Sequence, residues 1–256
     1  MRLSVLLCIG LALGSYVCAH WHCGKPSHGI GMAVDLFEEA AKHRLTMAPW
    51  GARLVFQDRQ ECTAYVVDFD EGFEGSHYVL TTANCFLGKQ RRKATVQLIP
   101  YAVENFIKDV HLDVRFPDFA LVQFVDPVSF QPFFSPLCAP SPGVRYSNKK
   151  CLITRWVEFN PRHASMMFDL YSPAPVDCPG HAVCAKAYKG KSRHRRDEGI
   201  ALICRKTQRW HLVGLSSVKQ QYTDVVEFTR VSSFLAGLRA VINETAPVRR
   251  PWMVYV

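Results

Sequence analysis

Several things are scarce in this 256-residue chain, and each scarcity excludes a class of protein. Beyond a short N-terminal run, nothing approaches the roughly twenty consecutive apolar residues that a membrane-crossing helix requires. A spanning protein is therefore not expected. Tight Cys-x-x-Cys or Cys/His pairs are missing, so a structural zinc site lacks its ligand set. Cys178 and Cys184, with His181 between them, come closest and are set aside. No metal and no cofactor is expected. Repeats and low-complexity tracts are absent too. With 48% hydrophobic and 21% charged residues, the chain has ordinary globular composition, which excludes disordered and collagen-like classes. Acidic residues are the short side of the charge balance, 22 against 31 Lys and Arg, for a formal net charge of +9. That balance favours acidic partners such as sulfated glycosaminoglycans. No nucleic-acid reading motif is present.

What is there points to export. Arg2 supplies a positive start, Leu3 to Leu13 a short apolar run, and Val17 and Ala19 a small-residue cleavage pattern. Residues 1–19 read as a signal peptide, and the protein as secreted and extracellular. Removing them leaves eight cysteines: Cys23, Cys62, Cys85, Cys138, Cys151, Cys178, Cys184 and Cys204. An even number in an exported chain implies a disulfide framework. Asn243-Glu244-Thr245 is an N-glycosylation sequon at Asn243.

Residues 20–48 differ from the rest. Met32, Val34, Leu36, Phe37, Ala40, Ala41 and Leu45 recur near helical spacing, which predicts a short helix or a surface-packed segment. From Pro49 onward, β-rich stretches alternate with turn residues, among them Ala52–Gln57, Tyr78–Thr82, Ala120–Phe124, Ile200–Cys204 and Trp210–Ser216. Many short strands at regular spacing predict an all-β sandwich or barrel. Phe234, Leu235, Leu238 and Ile242 predict a closing helix, with an exposed tail over 243–256.

Seven motifs in fixed order, the two-part linker counting as one, resemble the trypsin-like serine proteases. Tyr78-Val-Leu-Thr-Thr-Ala-Asn-Cys85 is similar to the strand that carries the catalytic histidine, and Pro117-Asp-Phe-Ala-Leu-Val122 to the catalytic-aspartate segment. Pro127-Val-Ser-Phe130 and Ser135-Pro-Leu-Cys-Ala-Pro140 resemble the linker between the barrels, and Cys151-Leu-Ile-Thr-Arg-Trp156 a strand that follows it. Asp197-Glu-Gly-Ile-Ala-Leu-Ile-Cys204 resembles the nucleophile segment, with Trp210-His-Leu-Val-Gly-Leu-Ser216 after it. Phe228-Thr-Arg-Val231 resembles the approach to the terminal helix. The resemblance implies a double six-stranded β-barrel over residues 49–242, ending in an α-helix. It also implies the bridges Cys23–Cys138, Cys62–Cys85, Cys151–Cys204 and Cys178–Cys184, the first tying a pro-like segment, 20–48, to the body.

The same resemblance places Asn84, Asp118 and Glu198 at the triad positions. In such a triad a serine attacks, an imidazole accepts its proton, and an aspartate orients the ring. An amide cannot accept that proton near neutral pH, and a carboxylate attacks amides poorly. Arg196 stands where the oxyanion hole uses a glycine, and no Ile-Val-Gly-Gly activation junction precedes Pro49-Trp50. Ser192 lies near the expected pocket floor, and Asp118 is expected to be a buried acid bonded to the Asn84 amide. These substitutions predict a non-catalytic homologue. Its expected role is binding or regulation, as cofactor or decoy toward an active extracellular protease or its substrate. A polyanion-binding effector is the first alternative, a weak residual hydrolase the second. The polyanion candidates are Lys186, Lys189, Lys191, Arg193, Arg195 and Arg196, and a second run of Lys89, Arg91, Arg92 and Lys93. Arg205, Lys206 and Arg209 follow shortly after the first run. Arg193-His-Arg-Arg196 also reads as a processing site for a basic-specific convertase.

Overall fold

The computed structural model describes residues 23–25, 27–28, 32–33, 49–57, 61–69, 75–87, 94–98, 103–130, 134–140, 151–158, 166–171, 174–176, 182–186, 198–217 and 225–245. The signal segment and the tail beyond Thr245 lie outside them. Of the N-terminal stretch expected as a helix or surface-packed segment, the described part is a small antiparallel pair. Its strands are β1 (Ser27–His28) and β2 (Met32–Ala33).

The first half is a closed barrel. Along the chain come β3 (Gly51–Phe56), β4 (Glu61–Tyr65), β5 (Val67–Asp68), β6 (Gly75–Thr82), β7 (Ala94–Leu98), β8 (Val103–His111) and β9 (Phe119–Ser129). Six of them neighbour in the order β4-β3-β7-β8-β9-β6, and a pairing of Tyr65 with Leu80 shuts the ring. After the short linker strand β10 (Leu137–Cys138) come β11 (Cys151–Glu158), β12 (Met166–Tyr171), β13 (Ala174–Val176), β14 (Ala182–Lys186), β15 (Glu198–Lys206), β16 (Arg209–Ser217) and β17 (Val225–Arg230). These form a second sheet, ordered β12-β11-β15-β16-β17-β14-β13. β10 pairs in parallel with both β5 and β16, stitching the linker across the two halves.

Side-chain alternation explains why so many strands are apolar on both faces. On β9, Ala120, Val122 and Phe124 fill the barrel interior with Ala52, Leu54 and Val96. Phe119 and Leu121 point the other way, into a cluster between the halves with Tyr65, Leu80, Leu152, Ile203 and Leu212. β15 divides likewise, Ala201 and Ile203 facing that seam and Ile200 and Leu202 a third cluster with Val213 and Phe228. Each of the valine, leucine, isoleucine and phenylalanine side chains among them stabilises the fold by about 1.5–3 kcal/mol through burial. The Tyr65 hydroxyl crosses the seam and donates to the Thr154 carbonyl at 2.9 Å.

The chain closes with an α-helix over Leu235–Thr245, whose Leu238 and Val241 enter the seam cluster. The sequence predicts an exposed tail from Asn243, but the helix continues through Thr245. The cause is tertiary. The Thr245 hydroxyl donates to the Val241 carbonyl at 2.6 Å and shares a 2.9 Å hydrogen bond with the Tyr78 hydroxyl. Gln123 donates to the Thr245 carbonyl at 3.1 Å, so the last turn is satisfied by β6 and β9.

Disulfides join Cys23 to Cys138, Cys62 to Cys85 and Cys151 to Cys204. Cys184 is also disulfide-bonded, while Cys178 lies outside the described residues. Beside the first bridge, the Gly24 amide donates to the Pro136 carbonyl at 2.7 Å and its carbonyl accepts from the Trp210 amide at 2.9 Å. Gly24 has a φ of +70°, and a side chain there would strike the Trp210 backbone, so only glycine fits.

Candidate active-site cleft

β6 ends at Thr82, and a short 3-10 turn, Ala83–Phe86, carries Asn84. Its position is fixed from several sides. Cys85 is bonded to Cys62 on β4, the Ala83 amide donates to the Asp118 carbonyl at 2.9 Å, and the Leu87 amide donates to the Asn84 carbonyl at 3.3 Å. Below it, the Thr81 hydroxyl donates to the Thr63 carbonyl at 2.7 Å and ties β6 to β4. Asn84 is half-buried.

Asp118 stands where β9 begins, and its carboxylate is exposed rather than buried. The preceding turn is responsible. The Phe116 amide donates to the Asp113 carbonyl at 2.9 Å and the Phe119 amide to the Phe116 carbonyl at 3.0 Å, which drives Phe116 into the core and leaves Pro117 and Asp118 outside. The Thr229 hydroxyl of β17 donates to Asp118 Oδ2 at 3.0 Å, a contact from the other half of the molecule.

Glu198 opens β15, opposite Ser217 of β16 and beside Cys62 of β4. The next residue, Gly199, has a φ of +85°, and a Cβ there would run into the Thr63 carbonyl. Glycine is therefore required where the two halves approach. The Asn84 turn packs against both β9 and β15, so Asn84, Asp118 and Glu198 come from three elements meeting at the seam. None of these residue types is an alcohol, and the carboxamide of Asn84 is not a base.

Ser192, Arg196 and Asp197 lie outside the described residues. So do Lys89, Arg91, Arg92, Lys93, Lys189, Lys191, Arg193 and Arg195. The backbone of Lys186 ends β14, opposite Val225. Asn243 is exposed on the final helical turn.

Two contributors escape the sequence reading. Thr229 sits inside a recognised motif, but only the fold shows that its hydroxyl faces Asp118. Arg115 builds a three-charge cluster between the turn before β9 and the terminal helix. It donates to Asp113 Oδ1 and Oδ2 at 2.9 and 2.7 Å, and to Glu244 Oε1 and Oε2 at 2.8 and 3.1 Å. Hydrogen bonds from Arg115 pull the Asp113 carboxyl down to about 2 and hold Glu244 below its ordinary range.

A closed six-stranded barrel, a second sheet packed on it across an apolar seam, and a C-terminal helix match the double-barrel architecture of the chymotrypsin-like peptidases. A family model described as Trypsin matches residues 38–236, well over half of the chain. The chain belongs to the trypsin family.

Proposed function

We propose that this member of the family is a secreted, non-catalytic protein that works by binding, as a cofactor or decoy toward an active extracellular protease or its substrate. The observation that supports this most is Asn84. A carboxamide at the imidazole position leaves no group to take a proton from a nucleophile. Glu198 at the nucleophile position and Arg196 at the close-approach position of the oxyanion hole point the same way. The exposed Asp118, held by Thr229 rather than sealed in, suits a cleft used for contacts. Secretion is supported by the N-terminal run and the disulfide framework, and the exposed Asn243 suits a glycan-bearing position. The test is an activity-based fluorophosphonate probe, run alongside casein digestion, on the purified mature protein. Neither labelling nor digestion is expected. Casein digestion that disappears with Glu198→Ala or Asn84→Ala would overturn the reading.

A further inference from the structure

The far end of β15 carries a local arrangement that the cleft does not need. A two-residue turn, Thr207–Gln208, connects β15 to β16, and both residues have positive φ, 47° and 68°. Such hairpin turns normally use Asn-Gly, and a β-branched threonine in this region is unfavourable. The register then sets Lys206 directly opposite Arg209. Like charges facing each other across antiparallel strands repel. Among the described residues neither makes an ion pair. His211, opposite Cys204, is the next residue on this face. Its pKa is held down chiefly by burial, with the charges of Lys206 and Arg209 adding to the effect.

Arg205 precedes the pair and donates to the Gln208 side chain at 3.3 Å, bracing the turn. The Trp210 amide donates to the Gly24 carbonyl, which anchors the strand just past the turn. A strained turn and an opposed cationic pair at one tip break two local rules together, a pattern expected where a ligand supplies the compensation.

We propose that this hairpin tip, built on Lys206 and Arg209, binds a sulfated polysaccharide. An array of sulfates lying across the turn neutralises the opposed charges, and arginine forks match sulfate oxygens. The tip lies about 25 Å along β15 from Glu198, at about 3.3 Å per residue, so a chain bound there leaves the cleft open. The ligand class rests on the secreted reading above; the site does not depend on whether the protein is catalytic.

Heparin binding by the full mature chain, measured calorimetrically at two salt concentrations, tests the site. The expected result is that Arg209→Glu and Lys206→Glu each weaken heparin affinity about tenfold or more. Arg209→Glu should also raise Tm, because the cross-strand pair becomes attractive. Arg239→Glu, the same charge change on the exposed face of the terminal helix, should leave affinity within about twofold. N- and O-desulfated heparin should bind far more weakly than heparin. The site is overturned if Arg239→Glu matches Arg209→Glu, if neither hairpin variant weakens binding, or if phosphatidylserine vesicles compete heparin off. These readouts are separate from the fluorophosphonate assay, so either conclusion can fail alone.

Discussion

Arg115 gathers two carboxylates that are far apart in the chain, with Glu244 lying 129 positions away. Both acids are held below their ordinary pKa, Asp113 at about 2, by hydrogen bonds from the guanidinium. A carboxyl depressed in the folded state contributes stability that is present above its unfolded value, near 4, and is lost as pH falls toward 2. The expected outcome is a Tm that drops between pH 5 and pH 2, with a shallower drop in Arg115→Gln. Parallel pH profiles for the two proteins would remove this cluster from the acid response. Arg115 and Glu244 are exposed and Asp113 partly so, and added salt should therefore shrink the difference. At this scale the sequence is uneven as a guide. Asn84 and Glu198 stand out because each interrupts a strand motif of otherwise familiar residues. The exposure of Asp118 does not, because it depends on how the Asp113–Pro117 turn tips. The Arg115 cluster is invisible for the same reason: its partners meet only after the helix docks.

Among the elements, the N-terminal tether shows how a segment of few residues is held. The Cys23–Cys138 bridge spans 115 positions, and the Gly24 backbone bonds to Pro136 and Trp210 on either side of it. Removing a native bridge of this kind typically costs about 2–5 kcal/mol. Cys23→Ser with Cys138→Ser is therefore expected to lower the guanidinium unfolding midpoint, with the fold retained. A midpoint equal to wild type would show that the backbone bonds alone secure the tether. Strands were legible as elements because period-two patterns and turn residues report them directly. The helix was legible too, through Leu235, Leu238 and Ile242, but its end was not. Its last turn persists because Tyr78 and Gln123 supply partners from remote strands, and periodicity carries no record of them.

For the molecule as a whole, the seam decides how the halves behave. Its cluster takes side chains from β4, β6, β9, β11, β15, β16 and the terminal helix, so neither half buries its apolar surface alone. A single calorimetric transition is expected, and two resolved transitions would show independent halves. Tyr65→Phe, which deletes the hydroxyl that reaches Thr154 across the seam, is expected to lower stability by about 1–2 kcal/mol while keeping one transition. The ordered motifs made this architecture readable from the chain, since they come in sequence order on both sides of the linker. Which faces meet at the seam was not readable, because β9 and β15 are apolar on both.

That double-sidedness has a consequence for how the sequence can change. β9 is a shared wall between two rooms of different size. Adding or deleting one residue just before Phe119 would turn the wall around, so that Phe119 and Leu121 trade places with Ala120 and Val122. Each room would then receive furniture cut for the other, and damage that begins in one strand would be felt in both at once.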